Sequence, residues 1–200
     1  MYKAIIFDLG RVLVDFDYER GFHALEGFCP YDTAEIRRRI AATDLVERFE
    51  TGLIEPPDFV AQLSWILALD IDYAGFCRLW SIIFTDALIP DAMLEGLAAR
   101  YRLVLLSNTN AIHFAMIREH YPMLRHFHDR ILSYEVRAMK PRREIYQAAL
   151  ECCGCPPEEC FYIDDIAAYV EAAQRLGIDA VQFESLAQLE RELKARGIYW

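Results

Sequence analysis

The 200-residue chain has no surplus of positive charge: 21 Lys and Arg stand against 31 Asp and Glu, a formal net charge of -10. No nucleic acid partner is expected, because phosphate backbones recruit basic surfaces. A small phosphorylated substrate stays open, since a metal ion supplies positive charge locally. Also missing is any apolar run near the roughly 20 residues that cross a bilayer, so no membrane partner is expected. The strand-like run at 2–7 arrives without a signal-peptide layout, which predicts a cytoplasmic address. Internal repeats, low-complexity tracts and long linkers are absent. The six cysteines lack the paired Cys-x-x-Cys arms of a zinc site. Cys29 and Cys77 stand alone, and Cys152, Cys153, Cys155 and Cys160 crowd together at an expected helix end and the turn beyond it. They read as reduced, small hydrophobes.

What is present suits a globular enzyme-sized unit. Hydrophobic residues make up 54% and charged residues 26%, enough to bury a core and stay in solution. The length fits one domain, or one core with a modest insertion. Five short apolar runs, at 3–7, 103–106, 130–133, 160–163 and 180–183, read as buried parallel strands. Helical stretches at 92–100, 111–120, 143–152 and 169–176 separate most of them, and Leu186, Leu189 and Leu193 have the spacing of a terminal amphipathic helix. This alternation predicts an α/β fold with a doubly wound, Rossmann-like parallel sheet. Between 16 and 88 no strand is expected. Helices are expected instead at 18–25, 33–42, 58–68 and 73–84, with Pro57 and Asp58 placed to open the third. The expected layout is a core of 1–15 and 89–200 with an all-helical cap, 16–88, inserted after the first strand.

Polar residues collect where these strands end. The first run stops at Asp8 and turns at Gly10; the second stops at Ser107, Asn108, Thr109 and Asn110. A loop after the third carries Lys140 and Pro141, and the fourth stops at Asp164 and Asp165. Any one of these alone is ordinary turn or cap chemistry. In an open parallel sheet, however, ligands bind beyond the carboxyl ends of the strands, so the four together describe one site.

The segments Phe7-Asp8-Leu9-Gly10 with Val12-Leu13-Val14-Asp15, Leu105-Leu106-Ser107-Asn108, Lys140-Pro141 and Tyr162-Ile163-Asp164-Asp165 carry a family likeness. Across its whole length the chain resembles the haloacid dehalogenase-like hydrolases. Its texture is similar to sugar-phosphate phosphatases and to the phosphatase domain of soluble epoxide hydrolases. The resemblance implies a Mg2+-dependent phosphatase in which Asp8 attacks phosphorus and is briefly phosphorylated. It implies Lys140 beside Asp8, Ser107 and Asn108 at the phosphoryl group, Asp165 in direct contact with the metal and Asp164 acting through water. The backbone carbonyl of Gly10 completes the implied ligands. Physical chemistry agrees with this set. Three carboxylates held close repel one another, and a hard divalent cation with oxygen ligands relieves the repulsion; beside phosphate, Mg2+ is the usual solution. Lys140 adds a second positive charge, while Ser107 and the N–H groups near Leu9 and Gly10 can donate to phosphoryl oxygens. The implied substrate is a small phosphorylated metabolite under a helical cap, with sugar phosphates the first guess, and the implied assembly is a monomer or homodimer.

The chain departs from the family pattern twice. Family phosphatases often place a second Asp two residues after the nucleophile as general acid and base; here Gly10 stands there. Loss of such help costs roughly 10²–10⁴ in rate. Asp15 or Asp17 would be a substitute, and either serves equally as a helix cap. Tyr169 replaces the Asn or Asp that relatives use to orient the site. Of the remaining residues, Arg11 reads as solvated rather than substrate-binding, and Arg37, Arg38 and Arg39 as an exposed basic face. His113, His120, His126 and His128 have no metal spacing and are assigned surface or capping roles. Phe49, Phe59, Trp65, Trp80 and Phe84 are assigned to the cap's core. Two other functions compete: a metal-independent hydrolytic dehalogenase of the same fold, and a catalytically silent binding or regulatory module, which Gly10 and Tyr169 motivate.

Overall fold

The computed structural model describes residues 1–200. In chain order it contains β1 (Ala4–Phe7), β2 (Val14–Phe16), α1 (Tyr18–Glu26), α2 (Thr33–Ala41), α3 (Leu45–Glu50), α4 (Pro56–Leu67), α5 (Tyr73–Ser81) and β3 (Phe84–Ala87). The second half holds α6 (Asp91–Ala98), β4 (Arg102–Ser107), α7 (Ala111–His120), β5 (Asp129–Leu132), α8 (Ser133–Val136) and α9 (Arg143–Cys153). It ends with β6 (Cys160–Asp164), α10 (Ala167–Gln174), β7 (Asp179–Gln182) and α11 (Leu186–Ala195).

The five expected strands form one parallel sheet in the order β5-β4-β1-β6-β7. All four residues of β1 are buried, as a strand must be when helices cover both its faces. Alternation along each strand divides the core in two. Ile5, Phe7, Leu103, Leu105, Phe161 and Ile163 face α6, α7 and α11. Ala4, Ile6, Val104, Leu106, Cys160 and Tyr162 face α9 and α10. The fold therefore matches the α/β expectation. Because β1 lies centrally, Phe7 pairs with Leu105 on one side and Ile163 on the other. Asp8 thus emerges between the ends of β4 and β6, in the crevice where the winding direction reverses.

Helices α1–α5 bury a third cluster of their own, including Leu25, Ile36, Phe49, Phe59, Leu63 and Phe76, with Ile112 of α7 joining it. Their starts are set locally. Asp17, Asp32 and Asp72 each accept a backbone N–H in the first turn of α1, α2 and α5, and Pro56 opens α4.

Four expectations need correction. A short antiparallel ribbon, β2 with β3, lies inside the stretch thought strand-free, and α5 stops at Ser81 to make room for it. These strands are three and four residues long, too short to show a period. Helix α3 was not expected; its six residues are short for a helical repeat. Trp65 is not core but 84% exposed, on the outer face of α4. His113 is not at the surface but buried in the first turn of α7. The cysteines are all free thiols, with Cys153 ending α9 and Cys160 opening β6. No helix is long and apolar enough to cross a membrane.

Candidate active site

The ends of β1, β4 and β6 and the loop after α8 meet at a cavity of about 220 Å³. Asp8, Leu9, Gly10, Ser107, Asn108, Lys140 and Asp165 line it. Asp164 completes the group just beneath: it is fully buried, and oxygens of Asp8, Asp164 and Asp165 lie within 4.8 Å of one another. Every residue assigned to the site from sequence is therefore in one place.

Lys140 is the hub. Its Nζ donates to Asp8 Oδ1 at 2.6 Å, to Asp164 Oδ2 at 2.6 Å and to the Leu106 carbonyl at 3.3 Å. Asn108 positions it, with its amide oxygen accepting the Lys140 N–H at 2.8 Å and its amide nitrogen donating to the Lys140 carbonyl at 3.1 Å. Asn108 thereby spends its side chain on the lysine loop rather than facing a ligand alone. Asp164 also accepts from the Tyr162 hydroxyl, and its Oδ1 from the Ile166 N–H at 2.8 Å. Asp165 has no such set of donors and faces the cavity half-buried.

Burial drives the electrostatics. It pushes the Asp8 carboxyl well above the usual range; Lys140 opposes this and Asp164 adds to it. Asp165 is raised for the same first reason, then by Asp164. Burial alone would depress the Lys140 ammonium, but Asp8 and Asp164 outweigh it and keep the lysine charged. With all three carboxylates ionised, one ammonium would leave a charge of two uncompensated, in a place where unpaired charge costs several kcal/mol per ion, and the upward push on Asp8 and Asp165 reflects that cost. A divalent cation balances that sum, and an all-oxygen donor set selects a hard one such as Mg2+.

The other walls were less visible in the sequence. Phe16 and Phe84 of the β2–β3 ribbon, Tyr18 of α1, Glu50 at the end of α3, and Thr109, His113 and Tyr169 complete the cavity. His113 stacks on Trp80, donates through Nε2 to the Trp80 carbonyl at 2.9 Å and accepts at Nδ1 from Asn110 at 3.0 Å. Burial, only partly offset by that carbonyl, pushes its pKa down to about 4, so the ring is neutral. Tyr169 accepts from Asn108 at 3.4 Å, and its ring lies 5.1 Å from Lys140 Nζ. Arg11 is exposed, with its guanidinium 4.9 Å from the centre of the Phe16 ring. Asp15 and Asp17 both bond backbone N–H groups, of Phe16 and Glu19, and neither lines the cavity. Arg37, Arg38 and Arg39 pair with Glu19 and Glu35 on the outside of α2.

Residues 2–177 match the haloacid dehalogenase-like hydrolase family. The chain belongs to that family. Among curated proteins it is 26% identical to a D-ribitol-5-phosphate phosphatase of Bacteroides thetaiotaomicron, over 96% of this chain and 97% of that one. It is 28% identical to the sesquiterpene phosphatase astK of Aspergillus oryzae, over 88% of this chain and 87% of the relative. A solved structure of the family enzyme bt-2542 from B. thetaiotaomicron, in complex with magnesium and inorganic phosphate, superposes with a TM-score of 0.83 at 29% identity. It covers 94% of this chain and 99% of that one. The L-2-haloacid dehalogenase PA0810, at 20% identity and a TM-score of 0.68, shares the fold.

Proposed function

We propose that this phosphoric monoester hydrolase depends on Mg2+ and turns over through an aspartyl-phosphate on Asp8. Its substrate would be a small phosphorylated metabolite of the sugar- or sugar-alcohol-phosphate type. The observation that carries the reading is the cluster of buried Asp8, Asp164 and Lys140 with half-buried Asp165, whose formal charge deficit of two calls for a divalent ion next to the strand-end carboxylate. A dehalogenase working without metal would gain nothing from an acidic pair there.

The residues divide the work. Asp8, Asp165 and the Gly10 carbonyl would hold the metal, with Asp164 behind them through water; when bound, the ion screens the substrate's negative charge from the nucleophile. Lys140 fixes Asp8 by its Oδ1, which orients the carboxylate for in-line attack on phosphorus. The Ser107 hydroxyl has only a 3.4 Å contact to the Asn108 carbonyl, so its proton is free for a phosphoryl oxygen. Water then hydrolyses the aspartyl-phosphate. Helices α1–α5, within the proposed cap 16–88, roof this cavity through Tyr18 and Glu50 and restrict it to small substrates. The relative acting on D-ribitol-5-phosphate supports a sugar-alcohol phosphate as the first class to try.

The test is hydrolysis of p-nitrophenyl phosphate and of a panel of phosphorylated metabolites, with Asp8→Asn as the blank. Activity should vanish with EDTA and return with Mg2+. Turnover that ignores the chelator, or survives in Asp8→Asn, would overturn the reading.

A further inference from the structure

Breaking a phosphate ester of an ordinary alcohol requires a proton at the departing oxygen, and the turn after Asp8 does not offer one, because Gly10 has no side chain. Nor is there room for one: a Cβ at position 10 would lie 2.8 Å from the Phe16 ring, which fills the space a carboxylate would need. The proton has to come from another wall.

The titratable walls beyond Asp8, Lys140 and Asp165 are Tyr18, Glu50, His113 and Tyr169. His113 is neutral with both ring nitrogens engaged. Burial raises both phenols above their ordinary 10.0, far from the neutral range in which proton transfer is efficient. Glu50 is different. Its carboxylate has no hydrogen-bond or ion-pair partner, and burial alone pushes its pKa up to about 7. Its backbone, in contrast, is pinned to the strand ends: Ser133 Oγ donates to the Glu50 carbonyl at 2.6 Å, and the Thr109 N–H donates to that same Oγ at 3.0 Å. Nearby, Gly52 has a φ of 66° and packs so closely on the Tyr134 carbonyl that a side chain would overlap it. A free acid is thus held at a fixed place in the roof of the cavity. Tyr18 from α1 and His113 from α7 line the cavity beside it, and Lys140, Asp8 and Asp165 line the same cavity.

We propose that Glu50 is the general acid and base of the reaction, in the place left open by Gly10; this rests on the phosphatase reading above. As the Asp8 oxygen bonds to phosphorus and the bond from phosphorus to the alcohol oxygen breaks, the Glu50 proton passes to that oxygen and the alcohol leaves. The Glu50 carboxylate then takes a proton from the water that attacks the aspartyl-phosphate. That attack breaks the Asp8–phosphorus bond, releases phosphate and returns both residues to their starting state.

The experiment compares kcat/KM, with Mg2+ present, for an alkyl phosphate and for p-nitrophenyl phosphate in wild type and Glu50→Gln. Nitrophenolate leaves without a proton, and an alkoxide does not. The variant should lose about 10²–10⁴-fold on the alkyl ester and far less on the aryl ester, with a burst of nitrophenol ahead of slow aspartyl-phosphate hydrolysis. Equal losses on the two esters would overturn the proposal. If Glu50→Gln shows no thermal unfolding transition, Glu50→Asp read on the same pair decides in the same way. Failure of the underlying reading looks different: wild type itself would turn over neither ester in a Mg2+-dependent manner.

Discussion

The rim of the sheet and the roof above it bury charge in opposite ways. At the rim, Asp8 and Asp164 share one lysine, and hydroxyl and N–H donors satisfy Asp164. In the roof, Glu50 is half-buried with no partner, and His113 stays neutral against Trp80. The rim is a preorganised charge network, costly to interrupt. The roof stores an acid that keeps its proton up to about pH 7. The difference teaches that one cavity can carry a fixed electrostatic half and a proton-exchanging half, and that each half responds to a different perturbation.

The largest effect should come from breaking the network. Lys140→Met strands two buried carboxylates and should destabilise the protein by about 3–5 kcal/mol, read as the shift in urea midpoint in EDTA. A Mg2+ concentration that saturates the site should recover part of the loss. No change in midpoint would mean that the rim is not held by this lysine. Next in size is Gly10→Ala, which presses a methyl group on the Phe16 ring and should cost about 1–3 kcal/mol. Combining it with Phe16→Leu should restore most of that loss in a double-mutant cycle. Additive costs would show that the ring does not occupy the space beside Gly10.

The smallest effect tests the roof, and its sign is opposite. The Glu50 carboxyl titrates at about 7 in the folded chain and near 4.5 ordinarily. Between those values the folded state holds more protons than the unfolded one, so stability falls as pH rises from about 4.5 to 7. Above pH 7 the half-buried anion is a net burden, about 1–2 kcal/mol once its access to the cavity is allowed for. Glu50→Gln should therefore be the more stable protein at pH 8, while the two converge near pH 4.5. Melting curves across that range check it; a variant less stable at pH 8 would place an unseen partner on Glu50.

The same contrast explains what could be read from the sequence. Rim residues follow apolar runs that are unmistakable strands, so Asp8 after Ile5-Ile6-Phe7 and Asp164 after Phe161-Tyr162-Ile163 announce their own position. Glu50 lies between Phe49 and Thr51 on a six-residue helix, where the pattern gives an acidic residue no reason to face inward. Its backbone carbonyl is anchored by Ser133, 83 residues away. The β2–β3 ribbon was hidden for a related reason, since Val14 and Ala87 pair across the whole length of the helical insert. His113 reads as one more polar residue in an amphipathic helix until Trp80 of α5 is seen stacked on it. Gly10 was legible as a missing acid, but the ring that excludes one was not.

The most direct measurement is a crystal grown with Mn2+ in place of Mg2+ and examined at the manganese absorption edge. A single anomalous peak within about 2.0–2.3 Å of both Asp8 and Asp165 oxygens is expected. A crystal with no peak there, or with the ion held elsewhere while Asp8 and Asp165 stay unbridged, would contradict a site built around a shared cation.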